Sequence, residues 1–371
     1  MTLIFSLFLA STIVQIFYWW YLFSRLAFEE ASANNSKQLK GNGEGVSVIV
    51  CAHNEIENLK ALVPQLISQD HPRFEVIIVN DRSTDGSEHW LQAQRANLSN
   101  LKVISQLEIP PGINAKKQAL TTGIEAAKYD ILLLTDADCL PASGEWISTM
   151  TNRYQPDIDI VLGYSGYRYS RGFLNRFIRY ETILTAIMYL SRALSGHPYM
   201  GVGRNISYRK SYFQQVNGLN RFMEITGGDD DLFVNQSAHG ANTGVCIKKS
   251  GFTVSHAKTS WLAYFKQKKR HMSVGKYYQS RHLWLLGIFS ASHTIFWSSL
   301  VSLLIASTLV NWIVAGFVLR QLAHSWVIKK SSEKLGEGIN LLYLPLLDFL
   351  FSLFYLYTGI AALFSKKIDW D

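Results

Sequence analysis

Long apolar runs distinguish the two ends of the chain from its middle. Residues 3–23 contain no charged side chain, and about 20 apolar residues are enough for a helix to cross a bilayer. The run ends in Trp19, Trp20 and Tyr21, which resemble the aromatic belt found at a membrane surface. No basic segment precedes the run and no small-residue cleavage site follows it, so we expect a retained membrane anchor over residues 1–24 rather than a signal peptide.

The C-terminal part, residues 283–371, contains further apolar blocks. Residues 283–322 are too many for one span, so we expect two helices joined by a tight turn. Residues 341–364 include one charged side chain, that of Asp348, and one proline, Pro345, which fits either a further span or a re-entrant hairpin. The pattern predicts two to three C-terminal spans.

Between these apolar regions, strand patterns alternate with helix patterns. Runs rich in apolar residues at 46–52, 74–80, 103–105 and 129–135 are typical of strands in a buried sheet. Helical patterns separate these runs, and strands that alternate with helices form βαβ units with a parallel sheet. The sequence therefore predicts an α/β fold over residues 46–282.

The distribution of basic residues predicts the orientation of the chain in a membrane. The formal net charge is +8 and the pI is about 9.2, and segments rich in Lys and Arg stay in the cytoplasm. We expect an integral protein of a bacterial-type inner (plasma) membrane with its α/β part in the cytoplasm. Membrane lipids, and no nucleic acid, are the expected partners of the excess charge. The residues that carry this prediction are Arg25, Lys37 and Lys40 after the first span, and Arg320, Lys329, Lys330 and Lys334 around the end of the third.

Two carboxylates follow the strand predicted at 129–135. Asp136 and Asp138 would point to the same side if the strand alternation continued through them, and they would repel each other without a cation between them. Ligands bind at the carboxyl edge of open α/β sheets. These residues predict either a divalent metal that carries a phosphorylated substrate or a solvated turn of the helix-capping kind.

Asp229, Asp230 and Asp231 form a second acidic cluster, directly after two glycines. Three adjacent carboxylates are costly except at a helix N-terminus or around a cation. By itself this stretch favours the helix start. Cys51 and the other two cysteines show no metal or disulfide spacing, so we expect buried structural thiols.

An amphipathic pattern covers residues 261–281. Its apolar face contains Trp261 and Leu262 among others, and its basic face contains Lys268 and Arg270. A basic amphipathic helix of this kind is typical of a segment that lies on an anionic membrane surface.

Six short motifs resemble, in this order, the membrane-anchored family 2 glycosyltransferases of the GT-A fold. The resemblance includes the cellulose and hyaluronan synthases and the ceramide glucosyltransferase-like enzymes. It covers about residues 46–271 and implies a mixed, mostly parallel sheet flanked by helices, in addition to transmembrane helices. The motifs are VSVIVCAHNE at 46–55, NDRSTDGS at 80–87, AKKQAL at 115–120, TDADC at 135–139, GGDDD at 227–231 and QKKRH at 267–271.

The resemblance also implies roles for individual residues. Asp230 would be the catalytic base, with Asp229 beside it and Arg270 adding positive charge at the diphosphate, and Asp138 with Asp136 would hold Mg²⁺ or Mn²⁺. The residues expected to contact the nucleotide sugar are Ala52, His53, Asn54, Glu55, Asp81, Lys116, Asp136, Gln267 and Arg270, and those expected on the acceptor side are Gly203, Arg204 and His271.

Structural alternatives stay open for several of these residues. Asp81 is also compatible with a helix cap, Lys116 with an exposed helix lysine, and residues 197–205 with a tight glycine-rich turn. Ala115 stands where the family has glycine. His271 stands where the family has a tryptophan that helps to hold the acceptor sugar, which puts processive polymerisation in doubt.

The resemblance implies an inverting transfer from a nucleotide-diphospho-sugar, in the first place a UDP-sugar, to a lipid or a lipid-linked or glycan acceptor. A processive polysaccharide synthase is the alternative within this class. A catalytically inactive nucleotide-sugar-binding scaffold and a nucleotidyltransferase are alternatives from other classes. The expected order is an anchor at 1–24, a linker at 25–45, a cytoplasmic GT-A domain at 46–282 that ends in the amphipathic helix at about 260–281, and a membrane region at 283–371.

Overall fold

A computed structural model describes residues 2–29, 43–306 and 309–364. Contacts within the chain group the described residues into two compact units. The helical unit consists of residues 2–29, 170–195 and 258–364, and the α/β unit consists of residues 43–169 and 196–257. Lys37, Lys40 and most of the predicted linker lie outside the described residues.

Ten strands build the α/β unit. They are β1 (Val46–Ala52), β2 (Phe74–Asp81), β3 (Leu101–Gln106), β4 (Ile131–Asp136), β5 (Cys139–Pro141), β6 (Ile160–Leu162), β7 (Ser165–Tyr167), β8 (Ile206–Arg209), β9 (Thr243–Val245) and β10 (Thr253–Ser255).

The α-helices of both units are numbered together along the chain. They are α1 (Thr2–Phe17), α2 (Arg25–Phe28), α3 (Ile56–Ile67), α4 (Ser87–Arg95), α5 (Ala115–Ala126), α6 (Trp146–Thr151), α7 (Phe173–Leu194), α8 (Lys210–Gln215), α9 (Asp231–Ser237), α10 (Trp261–Val274), α11 (Ser280–Ile305), α12 (Val310–Lys334) and α13 (Leu344–Leu363).

The main sheet has seven strands in the order β3-β2-β1-β4-β8-β6-β9. Strands β3, β2, β1 and β4 are parallel, whereas β8 is antiparallel to both β4 and β6. A second sheet has the order β5-β10-β7. The predicted mixed, mostly parallel sheet flanked by helices is therefore confirmed.

The parallel strands carry their functional residues to one edge. In the register of β1 and β4, Cys51 lies opposite Asp136, and β2 ends nearby at Asp81 because Cys51 also lies opposite Val79. Most residues of these strands are buried, since helices cover both faces of a parallel sheet. The apolar core beside β1 and β4 includes Val48, Val50, Leu133, Leu59, Leu62, Trp146 and Met150.

The strand β4 ends one residue into the TDADC motif. Its last residue is Asp136, and Ala137 and Asp138 form a turn before β5 begins at Cys139. The chain turns here because β5 pairs with β10 in the second sheet, with Cys139 opposite Ser255. The expected alternation therefore does not reach Asp138, and that prediction was wrong.

Three helical segments of the described chain are long and apolar enough to cross a membrane: Thr2–Phe28, Ser280–Ile305 and Leu341–Leu363. The first matches the predicted anchor, although α2 occupies residues assigned to the linker. The apolar block at 283–322 does form two helices, but the second, α12, continues to Lys334. Its Arg320 and His324 are fully buried.

Asp348 of α13 is the centre of a buried polar cluster in the helical unit. Both its carboxylate oxygens accept hydrogen bonds from the guanidinium of Arg320 on α12. The same carboxylate lies 3.1 Å from His293 Nε2 and accepts bonds from Trp297 Nε1 at 3.0 Å and from the Tyr180 hydroxyl at 3.1 Å. Neither Arg320 nor Asp348 is exposed. Through this buried ion pair and its neighbours, the cluster joins side chains of α7, α11, α12 and α13.

The basic amphipathic helix is shorter than expected and is bound on one side. The helix α10 ends at Val274, and a 3₁₀ turn at Gly275–Tyr277 separates it from α11. Tyr278 has extended backbone angles, which interrupts the predicted helix at 261–281. Lys268 was predicted on the basic face of a membrane-surface helix, but its Nζ lies 2.6 Å from the fully buried carboxylate of Glu181 on α7. That carboxylate also accepts hydrogen bonds from the hydroxyls of Tyr264, Thr185 and Tyr355.

Candidate active site

A small, partly open cavity lies at the carboxyl edge of the main sheet, beside the ends of β1 and β4. Residues from both acidic motifs line it. This is the edge at which open α/β sheets bind ligands. Its polar lining includes Cys51, Lys116, Asp136, Asp229 and Asp230, and Gly203 also lines it.

Lys116 connects the two acidic motifs. The helix α5 begins at Ala115, and the side chain of Asn114 caps it by accepting a hydrogen bond from the backbone N–H of Lys117. The first turn of α5 places Lys116 Nζ 3.0 Å from Asp136 Oδ1 and 3.1 Å from Asp229 Oδ2. Burial disfavours the ammonium, but the neighbouring carboxylates outweigh burial and raise the pKa of Lys116 well above its usual value. Lys116 is therefore not an exposed helix lysine.

Asp229 and Asp230 lie immediately before α9 and serve different purposes. Asp230 Oδ1 accepts a hydrogen bond of 2.8 Å from the backbone N–H of Asp231, and Oδ2 accepts one from the backbone N–H of Gly203. The helix start that the sequence favoured is thus present, with Asp230 as its N-cap. Asp229 instead turns to Lys116.

The two carboxyl groups have pKa values shifted in opposite directions. Burial and the charge of Asp229 raise the pKa of Asp230 to about 6. Burial also acts on Asp229, but the adjacent Lys116 outweighs it and lowers the pKa of Asp229. A pair of acids separated in this way suits one permanently charged carboxylate and one proton acceptor that works near neutral pH.

Gly203 and Arg204, expected on the acceptor side, both contact the structural framework of the site. A Cβ atom on Gly203 would lie 3.2 Å from Asp230 Oδ2, so glycine permits the close approach of backbone and carboxylate. The guanidinium of Arg204 stacks 4.5 Å from the ring of Tyr167, and its Nη2 donates to the carbonyl of Ser165 at 3.3 Å.

Asp138 and Asp136 have separate protein partners. Asp138 accepts hydrogen bonds from the hydroxyl of Ser255 at 3.2 Å and from the thiol of Cys139 at 3.2 Å, whereas Asp136 accepts one from Lys116. Within the described residues no group of three or more His, Cys, Asp or Glu side chains converges as a metal cage. Mg²⁺ is commonly held by one or two carboxylates together with substrate phosphates and water, and two carboxylates around one turn fit that mode.

The loops after β1 and β2 are bound to each other where nucleotide contacts were predicted. Asn54 has a left-handed backbone (φ 55°), its N–H donates to the Ser83 hydroxyl, and its Oδ1 accepts from the N–H of Thr84. His53 Nδ1 contacts the carbonyl oxygen of Asp81. Glu55 accepts a hydrogen bond from the side chain of Asn58. Ala52, another predicted nucleotide contact, is fully buried at the end of β1.

Asp81 is not a helix cap. Its fully buried carboxylate accepts hydrogen bonds from Arg82 Nε at 2.8 Å and from Gln106 Nε2 at 3.2 Å. Gly86 is the N-cap residue of α4, and the carboxylate of Asp85 before it accepts hydrogen bonds from the first backbone N–H groups of α4 and α3, those of Ser87 and Ile56. The turn composition around Asp85 indicated a cap, but the sequence did not show which aspartate provides it.

Three predicted contacts belong to the helical unit. Gln267, Arg270 and His271 lie on α10, and their assignment to the diphosphate and the acceptor stays a prediction. The sequence did not predict that Cys51 and Lys117 lie close to the site. Cys51 lines the cavity, although it was expected only as a structural thiol. Lys117 is buried, and a lysine within a polar helix gives no sequence signal of burial.

Comparison with known proteins found a family match for residues 47–216. Residues 47–216 match the family model described as Glycosyl transferase family 2. This segment is a family 2 glycosyltransferase domain. The match includes β1 to β4 and β8, and therefore the strands that border the cavity.

Two curated relatives resemble part of the chain. Glycosyltransferase AglE of Haloferax volcanii is 29% identical over 133 residues, which are 34% of this chain and 41% of that protein. The poly-beta-1,6-N-acetyl-D-glucosamine synthase of Staphylococcus epidermidis is 27% identical over 156 residues, 41% of this chain and 36% of that enzyme. The chain thus matches about two fifths of the length of these relatives.

One solved structure resembles the chain over nearly its whole length. It is the mannosyltransferase PcManGT from Pyrobaculum calidifontis in complex with GDP-Man and Mn²⁺, with a TM-score of 0.60, 14% identity and coverage of 99% of both chains. At this identity the likeness concerns the fold, and it agrees with the GT-A fold expected from the sequence.

Proposed function

We propose that the protein is a membrane-anchored, inverting glycosyltransferase. It would transfer a sugar from a nucleotide-diphospho-sugar to a hydroxyl group of a lipid or glycan acceptor. The observation that carries this proposal is the arrangement of Lys116 between Asp136 and Asp229, with Asp230 beside the same cavity. This arrangement brings together an acid on the donor side (Asp136), a positive charge (Lys116) and a base whose pKa is raised (Asp230).

Asp230 is the proton acceptor in this mechanism. The acceptor hydroxyl loses its proton to the Asp230 carboxylate while its oxygen bonds to the anomeric carbon. The bond between that carbon and the diphosphate oxygen breaks with inversion, and the electron pair leaves on the diphosphate. Lys116 supplies fixed positive charge on the donor side, and the N–H groups of Gly203 and Asp231 hold the Asp230 carboxylate in place.

Asp138 and Asp136 would hold Mg²⁺ or Mn²⁺ with the donor diphosphate. When bound, the cation supplies a Lewis acid that neutralises charge on the leaving group. PcManGT was solved with Mn²⁺, which supports the same dependence here. Asp138→Asn should raise the Mn²⁺ concentration needed for half-maximal activity by about tenfold or more.

UDP-sugars remain the first choice of donor, and GDP-sugars are the second because PcManGT was solved with GDP-Man. The test is a transfer assay with radiolabelled UDP- and GDP-sugars in membranes that contain the full chain. Wild type should show cation-dependent transfer or donor hydrolysis. Asp230→Asn should lower turnover by about 10²–10⁴-fold and should retain binding of the nucleotide. A wild type that binds nucleotide and turns over no donor would support the inactive scaffold.

A processive polysaccharide synthase is the second candidate, favoured by the similarity to poly-beta-1,6-N-acetyl-D-glucosamine synthase. His271 in place of the family's tryptophan favours single transfer instead. Extraction of the labelled product with organic solvent separates the two. Radioactivity that enters the lipid phase supports single transfer to a lipid, whereas polymeric material left after extraction supports the synthase. A nucleotidyltransferase would have no role for Asp230.

We also propose an inner-membrane location with the α/β unit in the cytoplasm, on the basis of the three candidate spans and the basic residues near their ends. Protease treatment of inverted and right-side-out vesicles tests it. The α/β unit should be digested in inverted vesicles and protected in right-side-out ones, and the opposite pattern would overturn the orientation.

A further inference from the structure

Lys117 follows Lys116 on α5 but contacts a different part of the α/β unit. Its side chain is fully buried. Its Nζ donates hydrogen bonds of 2.7 Å to the carbonyl of Phe222 and of 2.7 Å to the carbonyl of Ile225. Adjacent residues on an α-helix point about 100° apart, so one turn of α5 contacts both the acidic site and this second segment.

The second segment leads directly to the proposed base. Residues 222–225 precede Gly227, Gly228 and the Asp229–Asp230 pair in the chain. The backbone N–H of Asn114 donates a further hydrogen bond of 2.7 Å to the carbonyl of Met223. Two donor groups at the start of α5 thus make three hydrogen bonds to the carbonyls of a segment that forms neither a strand nor an α-helix.

The glycines make this attachment important for the position of the acids. Gly227 and Gly228 have φ values of 81° and 75°, a conformation that glycine adopts at little cost. The chain turns sharply at a point where no side chain can hold it. Lys116 and the N–H of Gly203 bind the side chains of Asp229 and Asp230. The backbone that carries these side chains is fixed on either side, by residues 222–225 before the glycines and by α9 after them.

Burial of the Lys117 ammonium beside residues 222–225 is energetically unfavourable compared with burial of an apolar side chain. Burying a charged group that is bonded only to neutral carbonyls costs more than burying an apolar side chain, and burial lowers the pKa of Lys117 to about 8. Its hydrogen bonds are charge-assisted, so they are stronger and more directional than neutral ones. What the lysine supplies beyond packing is a fixed position for two backbone carbonyls.

We propose that Lys117 is a positioning residue for the transfer reaction: it holds residues 222–225 against α5 so that Asp230 stays at the cavity. The inference rests on the proposed function for its link to catalysis. Its structural half, the attachment of this segment to α5, can be tested separately.

The chain offers a matched control at the other end of the same helix. Lys210 Nζ donates to the carbonyls of Glu125 and Ala127 at 2.9 Å and 2.7 Å. Lys210→Met therefore removes the same type and number of hydrogen bonds from the C-terminal end of α5, away from the acids.

The experiment compares wild type, Lys117→Met and Lys210→Met as full chains in detergent micelles. Displacement of a reacting group by about 1 Å can cost about 10²-fold in rate, so we expect kcat of Lys117→Met to fall about 10–100-fold. The Kd for the nucleotide with Mn²⁺ should change less than about threefold, because Lys116 and Asp136 are retained. Lys210→Met should keep kcat within about twofold. Hydrogen exchange of residues 222–230 should accelerate in Lys117→Met only.

A folded Lys117→Met protein with unchanged kcat, or with unchanged exchange at 222–230, would overturn the proposal. A purely structural role would lower thermal stability and leave kcat per folded molecule unchanged. If Lys117→Met does not fold, Lys117→Gln, which keeps a donor, is measured against the same criteria. If wild type turns over no donor, the proposed function fails, and the exchange data alone decide whether Lys117 holds the segment.

Discussion

Lys116 Nζ lies 3.1 Å from Asp229 Oδ2, so a lysine of the AKKQAL motif neutralises the first acid of the proposed catalytic pair. Asp229 therefore stays ionised beside Asp230, and the charge of Lys116 also acts on Asp230 by lowering its pKa. The donor side and the base side of the site are electrostatically coupled through one ammonium group.

Replacement of Lys116 by methionine should affect both sides. We expect kcat/KM for the donor to fall about 10²–10³-fold, because fixed positive charge is lost where diphosphate charge develops. The acid limb of the pH profile should move to higher pH, because the charge that favours ionised Asp230 is gone. Lys116→Arg is the control, and it should retain the position of the limb. An acid limb that does not move in Lys116→Met would contradict the coupling.

The pH dependence of wild type should report the ionisation of Asp230. Its raised pKa of about 6 means that the base becomes protonated, and the rate falls, as the pH decreases through about 6. The slope of log kcat/KM against pH should approach one below this value. In Asp229→Asn a like charge is removed, so the limb should move to lower pH. A pH-independent rate between pH 5 and pH 7, a window chosen around that pKa, would exclude Asp230 as the base.

The Arg320–Asp348 pair should dominate the stability of the helical unit. Removing one partner of a fully buried ion pair costs about 3–5 kcal/mol, because the other charge is left without compensation. Asp348→Asn should therefore lower the thermal midpoint of the detergent-solubilised protein strongly. Replacing both partners, in Arg320→Met with Asp348→Leu, should recover much of the loss.

A second ion pair on α12 provides the comparison. Lys330 and Glu333 are 49% and 53% exposed and lie 3.6 Å apart. Such exposed pairs contribute about 0–1 kcal/mol, so Glu333→Gln should leave the midpoint nearly unchanged. Equal effects of Asp348→Asn and Glu333→Gln would refute the role given to the buried cluster.

Lys268 should matter for the attachment of α10 more than its lysine neighbours do. Burial disfavours the charged form of Glu181, but the Lys268 ammonium and the hydroxyls of Tyr355 and Thr185 outweigh burial and lower the pKa of this carboxyl group. The carboxylate therefore contributes stability above pH 4.5 that is lost as the pH falls through its lowered pKa. At neutral pH, Lys268→Met should speed proteolytic cleavage within α10 and lower the thermal midpoint. Lys266, which is exposed, gives the control variant Lys266→Met. Identical cleavage of the two variants would show that the Glu181 contact does not hold the helix.

The sequence predicted the features that depend on local pattern. The buried strands β1, β2 and β4 were located within one or two residues, because apolar runs report burial directly. The helix start at Asp231 was also predicted, since adjacent acids favour a helix N-terminus.

Features that depend on distant parts of the chain were missed. The turn at Asp138 arises from pairing of β5 with β10. The residues near position 138 do not indicate this pairing, because β10 lies more than 100 residues further along the chain. Lys268 was assigned to the basic face of a membrane-surface helix, because its partner Glu181 lies far away in the sequence. Lys117 was passed over for the same reason, since its partners are backbone carbonyls, and carbonyls carry no sequence signal.

The three cysteines have a practical consequence. Cys139 and Cys246 are buried and Cys51 is half-buried, and burial raises the pKa of all three thiols. Because the thiolate is the reactive form, alkylating reagents should modify the native protein slowly. The rate of alkylation therefore measures how often the α/β unit opens and exposes its thiols. A cysteine added at the surface could be labelled selectively with a spectroscopic probe.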